Sequence, residues 1–412
     1  MSDQGHVMQR FDLVIAGGGI VGMSLALALS RVRKGALSVA LIDRAHTSTD
    51  DRAFAFSAGS QRFLDALGLW DQIAPEAQPI REMVITDSRL NDPIRPVFLT
   101  FGGEAAKGEP VAHMIPESAV LRALQAAIAA SSVHVIEGVV DDAIADEAGT
   151  TLHLSDGQRY RAGLVAACDG ARSRLREKAG IGWHFWSYKQ SGIVTTLGIE
   201  RDHEGRAEEH FLPSGPFALL PLTDHRFSIV WTASDDRVPS LLAQDDHLFQ
   251  EEIERRAGLR FGRIHLLSKP RAYPLGFGLA RKFGASRLAL VGDAAHLIHP
   301  IAGQGLNLGL RDVAALVEII SDQIALGLDP GSSVVIDSYD RARRADTVEM
   351  ATLTDSLNRL FSNEAMPLRL MRDFGLGIVD RLPTLKSRLI REASATNPRL
   401  PRLMRGETLP GF

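Results

Sequence analysis

Phe11-Asp12-Leu13-Val14-Ile15-Ala16-Gly17-Gly18-Gly19-Ile20-Val21-Gly22 is the stretch that decides the fold. Phe11 to Ala16 is a short apolar run ending in glycines, the pattern of a buried parallel strand. Met23 to Ser30, rich in Ala and Leu, predicts a helix. Gly17 permits a tight strand-to-helix turn. Gly19 lets backbone N–H groups approach a pyrophosphate at the helix N-terminus, where the dipole favours anions. Gly22 lets helix and strand pack closely. A second strand, Leu37 to Ile42, ends at Asp43, 21 residues after Gly22. That is near the roughly 20 expected of a carboxylate that binds a ribose hydroxyl. Strand, helix, strand and acid together predict a dinucleotide site. The motif does not separate NAD from FAD.

The 412 residues hold two or three domains. A net charge of −4 argues against nucleic acid as the main partner. The one cysteine, Cys168, excludes an intramolecular disulfide and a Cys-based metal cluster, and is expected to pack as a small buried thiol. The first residues are polar, so no signal peptide is expected. No stretch approaches the roughly 20 apolar residues of a spanning helix. These features predict a cytoplasmic, water-soluble chain. From Asp340 to Phe412 there are 13 Lys and Arg against 9 Asp and Glu. This excess predicts a solvated helical surface, the alternative being a basic face resting on anionic lipid at the inner membrane.

Along the chain, Ser118 to Ala130 predicts a helix, and Val133 to Ile136, Val139 to Ile144, Thr151 to Leu154 and Leu164 to Cys168 predict strands. Alternating strands dominate from about Trp183 to Tyr273: Ser191 to Ile199, Glu208 to Leu212, Phe217 to Pro221 and Phe227 to Thr232. This is a sheet domain inserted into the nucleotide-binding domain, to which the chain returns at Leu288-Ala289-Leu290-Val291-Gly292-Asp293. His296 and His299 lie three apart, but without acidic or further His neighbours they do not make a metal pair.

The segment Val291-Gly292-Asp293-Ala294-Ala295-His296, followed by Pro300-Ile301-Ala302-Gly303-Gln304-Gly305-Leu306-Asn307, resembles the stretch of flavin hydroxylases that runs past the flavin phosphates and ring. With Asp51-Arg52-Ala53, Cys168-Asp169-Gly170-Ala171-Arg172 and Phe211-Leu212-Pro213-Ser214-Gly215-Pro216, the chain resembles the class A FAD-dependent aromatic monooxygenases almost throughout. Within them it is most similar to the ubiquinone-biosynthesis hydroxylase group (UbiH/UbiF/VisC type; 2-polyprenylphenol hydroxylase). Two stretches depart from that group's pattern: Ser118 stands where Asn is frequent, and Glu392-Ala393-Ser394 where an Ala-Met-Gly-like turn is usual.

The resemblance implies an α/β fold like that of para-hydroxybenzoate hydroxylase: a Rossmann-type FAD-binding domain, an inserted mainly β substrate domain and a helical C-terminal tail. The FAD-binding domain is expected over 1–78, 108–182 and 275–344, the substrate domain over 79–107 and 183–274, and the C-terminal helical region over 345–412. The resemblance assigns FAD binding to Gly17, Gly19, Gly22, Asp43, Arg52, Arg122, Asp169, Asp293, Pro300, Gly303 and Gly305. It implies that O2 is the co-substrate, that electrons come from NAD(P)H or a ferredoxin system, and that a flavin hydroperoxide hydroxylates a polyprenylphenol. No protein acid, metal or nucleophile is obligatory for that transfer. His299 and Tyr188 are candidates to act near the ring, with His184, His210 and Tyr273 as further candidates for phenol deprotonation. A quinone-biosynthesis complex and peripheral membrane contact are implied partners, and the oligomeric state is left open. A hydroxylase of a small phenol or polyketide, and a non-catalytic flavoprotein subunit of such a complex, remain as alternatives. Trp183-His184-Phe185-Trp186-Ser187-Tyr188 does not match the Trp-x-Trp-x-Ile-Pro motif of flavin halogenases.

Overall fold

The computed structural model describes residues 8–44, 52–87, 97–102, 104–106, 108–212, 214–258, 260–300, 303–361, 397, 399–410 and 412. The Arg10–Ala16 strand pairs in parallel with Val39–Asp43 on one edge and with Arg159–Ala167 on the other. His134–Glu137 continues the parallel sheet beyond Val39–Asp43. The outer edge of Arg159–Ala167 is shared. Its first half pairs antiparallel with Gly149–Leu154, which leads on to Val140–Asp146, and its last residues pair in parallel with Leu288–Leu290. Leu13, Val14 and Ile15 are wholly buried, as a strand covered on both faces requires.

The Ile20–Arg31 helix is apolar almost all round, because other helices cover it as well as the sheet. It packs against Glu117–Ala129 and Gln304–Ala325. No helix among the described residues is long and apolar enough to cross a membrane.

Among the described residues the second sheet has nine strands. Its order is His296–Leu297, Arg271–Ala280, Trp183–Ile199, Arg226–Ser234, Gly215–Leu222, Arg206–Leu212, Glu82–Asp87 and Val97–Gly102, with Ile264–Leu266 also on Trp183–Ile199. One face carries Ile193, Leu197, Phe217, Phe227, Ile229 and Trp231, packed under Phe249 and Ile253 of the Asp246–Ala257 helix. The other face meets a small sheet of Ala53–Ser57, Ala112–Pro116 and Gln78–Ile80, where Ala207 and Leu222 pack on Met114 and Ile80. His296–Leu297 belongs to this second sheet, so the segment after Asp293 leads from one sheet into the other.

Two expected boundaries fall inside elements. A break between 274 and 275 cuts Arg271–Ala280, which pairs with Trp183–Ile199 along its whole length. Pro274 and the glycines at 276 and 278 hide the strand's alternation. Gly276 and Gly278 are there because a Cβ would meet the rings of Phe185 and Trp183. A break between 344 and 345 cuts the Ser333–Phe361 helix, whose polar middle is a buried ionic cluster rather than an end. Most of the basic C-terminal stretch, including Glu392-Ala393-Ser394, lies outside the described residues, as do Asp51, Pro213, Ile301 and Ala302.

Candidate functional site

The glycines of the first motif divide by what surrounds them. Gly17 has φ +112°, and a Cβ there would overlap the Cys168 carbonyl; one at Gly22 would overlap the Gly17 carbonyl. These two serve the protein's own packing. Gly19 caps the Ile20–Arg31 helix in an extended conformation without a side-chain cap, is exposed, and would place a Cβ in space with no atom within 4 Å. The helix start is therefore open, with its first N–H groups aimed outward. Asp43 ends its strand against Gly18, where its carboxyl would lie 2.5 Å from an added Cβ. The Cys168 thiol lies beside Gly22, and burial holds its pKa well above the usual range.

The second motif meets the first. Gly292, at φ +64°, brings its backbone to Val21, and Gly309 approaches Val21 from the Gln304–Ala325 helix. Asp293 is accessible to solvent yet set deep among protein atoms. Burial raises its pKa and Asp312 adds to the rise, while His296 and Arg52 oppose it. An acid that is both deep and solvent-open lies on the wall of a cleft. Gly303, at φ +61°, starts the Gln304–Ala325 helix 3.0 Å (Cβ position) from the Ala55 Cβ. Asn307 locks this start: its Oδ1 accepts from Ser57 N (2.9 Å) and Ser60 Oγ (2.7 Å), and its Nδ2 donates to Ala55 O (2.7 Å) and Gly303 O (2.9 Å). Gly305 lies in the first turn near Ile298, and Pro300 is exposed.

Beneath the motif is an ionic cluster that the sequence reading did not identify. His296 Nε2 lies 2.6 Å from Asp312 Oδ2, and both side chains are wholly buried. Asp312 also accepts from Gly292 N (3.0 Å) and Arg343 Nε (2.7 Å). Arg343 and Arg311 both bind Asp346. Burial pushes the Asp312 pKa up, but His296 and Arg343 outweigh it and hold the carboxyl below its usual value. The available signal was Arg311-Asp312, a charged pair inside the apolar run from Leu306 to Val317.

The remaining expected residues are placed as follows. Arg52 Nη2 is 3.1 Å from Glu117, and its guanidinium stands over the rings of Tyr273 (5.0 Å) and Phe54 (5.4 Å). Arg122 is exposed and paired with Glu76. Asp169 follows the strand end beside Gly17; its Oδ2 accepts from Leu175 N (3.3 Å), while its buried Oδ1 has no partner among the described residues. Arg176 donates to Ala294 O and Ala171 O (both 2.9 Å), tying the second motif to the segment that follows Asp169. His299 is buried, and desolvation lowers its pKa to about 4 against a weaker opposing pull from Asp355, so the ring is neutral at pH 7. It meets Tyr188 edge-on at 5.2 Å, and the Tyr188 hydroxyl donates to Asp355 (2.7 Å). His184 is exposed and bound by Arg281 Nε (3.2 Å). His210 stacks on Phe217 in the core on the helix-covered face of the second sheet, so it is turned away from the cleft.

The open helix start at Gly19, the ribose-position acid Asp43, the cleft acid Asp293 and the unpartnered Asp169 Oδ1 fit FAD along the seam between the two glycine motifs. Such a seam suits a flavin-dependent oxidoreductase. Residues 10–354 match the FAD binding domain family, and the chain belongs to it. It is 42% identical over 409 residues to the ubiquinone hydroxylase UbiL of Rhodospirillum rubrum, covering 97% of this chain and 93% of the relative. It is 33% identical to the 3-demethoxyubiquinol 3-hydroxylase of Escherichia coli, covering 93% and 98%. Among solved structures, p-nitrophenol 4-monooxygenase PnpA from Pseudomonas putida superposes with a TM-score of 0.76 at 20% identity, covering 94% of this chain and 99% of that one. The fold is that of the class A monooxygenases, and the chain is an FAD-dependent hydroxylase that uses O2.

Proposed function

We propose that this enzyme hydroxylates the phenol ring of a polyprenylated ubiquinone precursor. The observation that carries the reading is the 42% identity to a ubiquinone hydroxylase across 97% of the chain. Bound FAD would supply the reducing equivalents, taken from NAD(P)H or a ferredoxin system, and the activation of O2 for transfer to an electron-rich ring.

The chain's own residues bind, orient and keep the site dry. The Gly19 helix start and Asp43 would hold the pyrophosphate and ribose. Asp169 and Asp293 would accept hydrogen bonds from the ribityl hydroxyls. Gly303 and Gly305 would present backbone N–H groups of the Gln304–Ala325 helix start to the bound flavin, and Asn307 fixes that start against Ser57 and Ser60. His299, neutral and buried, contributes a polar edge without a charge. The second sheet turns Val194, Val230, Ala218 and Leu220 to the side that faces the small sheet and Ala55, an apolar wall that excludes water and suits a prenyl tail. A substrate with such a tail resides in a bilayer, so the same reading places the enzyme at the inner-membrane surface, beside the other enzymes of quinone assembly.

Deletion of the gene in the native host, followed by mass spectrometry of quinone intermediates, tests this. The expected result is accumulation of a polyprenylphenol lacking one hydroxyl. Unchanged quinone levels and no such intermediate would contradict it.

A further inference from the structure

The Arg206–Leu212 strand lies between Gly215–Leu222 and Glu82–Asp87, and its side chains alternate between two different environments. Arg206, Glu208 and His210 share one face and lie within ion-pair distance of one another. Arg206 Nε is 2.8 Å from Glu208, His210 Nε2 is 3.3 Å from Glu208, and His210 Nδ1 is 2.8 Å from Thr86 Oγ1. Ala207, Glu209 and Phe211 share the opposite face. There Ala207 packs with Leu222 of its own sheet and with Ile80 and Met114 of the small sheet that carries Ala53 and Ala55, and Gly303 of the second glycine motif lies beside Ala55, with room for no Cβ between them. Glu209 is therefore on the cleft side of the sheet. Its cross-strand neighbours are Ala218 and Ile85, with Val230 and Val194 following on the next strands.

No described residue pairs with this carboxyl. The residue is 6% exposed, and it has no hydrogen bond or ion pair to a described residue. Burial raises its pKa to about 7, with no neighbouring charge or hydrogen bond contributing. A carboxyl in such a place costs stability unless a ligand satisfies it.

We propose that Glu209 receives the ring hydroxyl of the phenol substrate and thereby sets which ring edge is presented for hydroxylation. This rests on the phenol reading given above. A largely aliphatic wall bearing a buried carboxyl matches a substrate that is a hydrocarbon tail on a hydroxylated ring. The tail lies on the aliphatic side chains, and one directed hydrogen bond removes the ring's freedom to rotate among equivalent apolar contacts. Because its nearest neighbours on the wall, Ala218, Ile85, Val230 and Val194, are aliphatic, a substrate lacking the hydroxyl leaves Glu209 without a partner, which is how such a site discriminates.

The test uses FAD-loaded wild type, Glu209→Gln and Glu209→Leu. The probes are 2-geranylphenol and its methyl ether, with binding followed by the perturbation of flavin absorbance. Wild type should prefer the phenol over the ether by about tenfold, the value of one hydrogen bond. Glu209→Gln should keep most of that preference. Glu209→Leu should bind the phenol about tenfold more weakly, lose the preference, and melt at a higher temperature than wild type, because it removes an unsatisfied buried carboxyl. A merely structural Glu209 would instead give a Leu variant of lower melting temperature whose phenol-to-ether preference is intact, and that result overturns the proposal. Wild type that binds 2-geranylphenol but shows no preference over the ether also overturns it. Wild type that binds neither probe overturns the substrate reading and this inference with it.

Discussion

Gly19 and Gly22 lie three residues apart, and their substitutions should separate ligand binding from folding. Gly19 sits at φ −72°, ψ −178°, a conformation open to any residue, and a Cβ there meets no protein atom within 4 Å. Replacing a helix-capping Gly by an apolar residue costs up to about 1 kcal/mol. The loss of chain entropy in the unfolded state returns about 0.4–1 kcal/mol. The apoprotein of Gly19→Val should therefore melt close to wild type. The side chain, however, occupies the space where a pyrophosphate meets the first N–H groups of the helix. Losing two hydrogen bonds to a charged group, at about 1.5–3 kcal/mol each, weakens FAD binding by about 3–6 kcal/mol, or roughly two to four orders of magnitude in Kd. Gly22→Ala should do the reverse damage. Its Cβ overlaps the Gly17 carbonyl and lies 3.2 Å from the Cys168 Cβ, so the helix must move off the strand at an overpacking cost of about 1–3 kcal/mol or more. The assay is thermal melting of each apoprotein together with fluorescence titration by FAD. Wild-type FAD affinity in Gly19→Val, or an apoprotein of Gly19→Val that melts as low as Gly22→Ala, would refute the reasoning.

Three further outcomes are expected. Asp293→Leu should fold yet purify without bound FAD, since Asp293 faces the cleft and has no ion pair among the described residues like those of Asp312; a yellow protein with full FAD content would count against the site. Asp312→Leu strips Arg343 and His296 of their buried partner and should cost about 3–5 kcal/mol, read as a large fall in melting temperature; a small change would show that Asp312 does not hold the cluster together. His299 has a folded-state pKa of about 4, below its usual 6.5, so the unfolded chain binds its proton first. Stability should then fall as pH drops from about 6.5 towards 4, by about 1.4 kcal/mol per pH unit from this residue, and His299→Leu should flatten that limb in pH-resolved denaturant melts.

The parallel core was legible because buried strands declare themselves locally. Phe11 to Ala16 and Leu164 to Ala167 are apolar runs, and glycine turns and the Asp43 position follow in fixed register. The second sheet was legible only where its strands alternate. Arg271–Ala280 escaped because glycines make room for Phe185 and Trp183, so the strand's meaning lies in aromatic side chains ninety residues earlier in the sequence. The Asp312, Arg343 and Asp346 cluster escaped for a related reason: Arg343 and Asp346 read as a polar helix surface until the helix is packed against Gln304–Ala325. Glu209 was hidden by its neighbours. Glu208-Glu209-His210 looks like one polar stretch, and only strand alternation sends Glu208 and His210 to an ion-paired cluster and Glu209 to the apolar side.

Oxygen-isotope labelling of the product is the measurement that bears most directly on the central claim. Purified FAD-loaded enzyme, a chemical or enzymatic reductant and a short-tailed polyprenylphenol are incubated under oxygen-18 gas in ordinary water, and the product is weighed by mass spectrometry. The account predicts a single new ring hydroxyl carrying oxygen-18, formed in step with consumption of reductant. Consumption of reductant with peroxide as the sole product, or a hydroxyl whose oxygen comes from water, would contradict it.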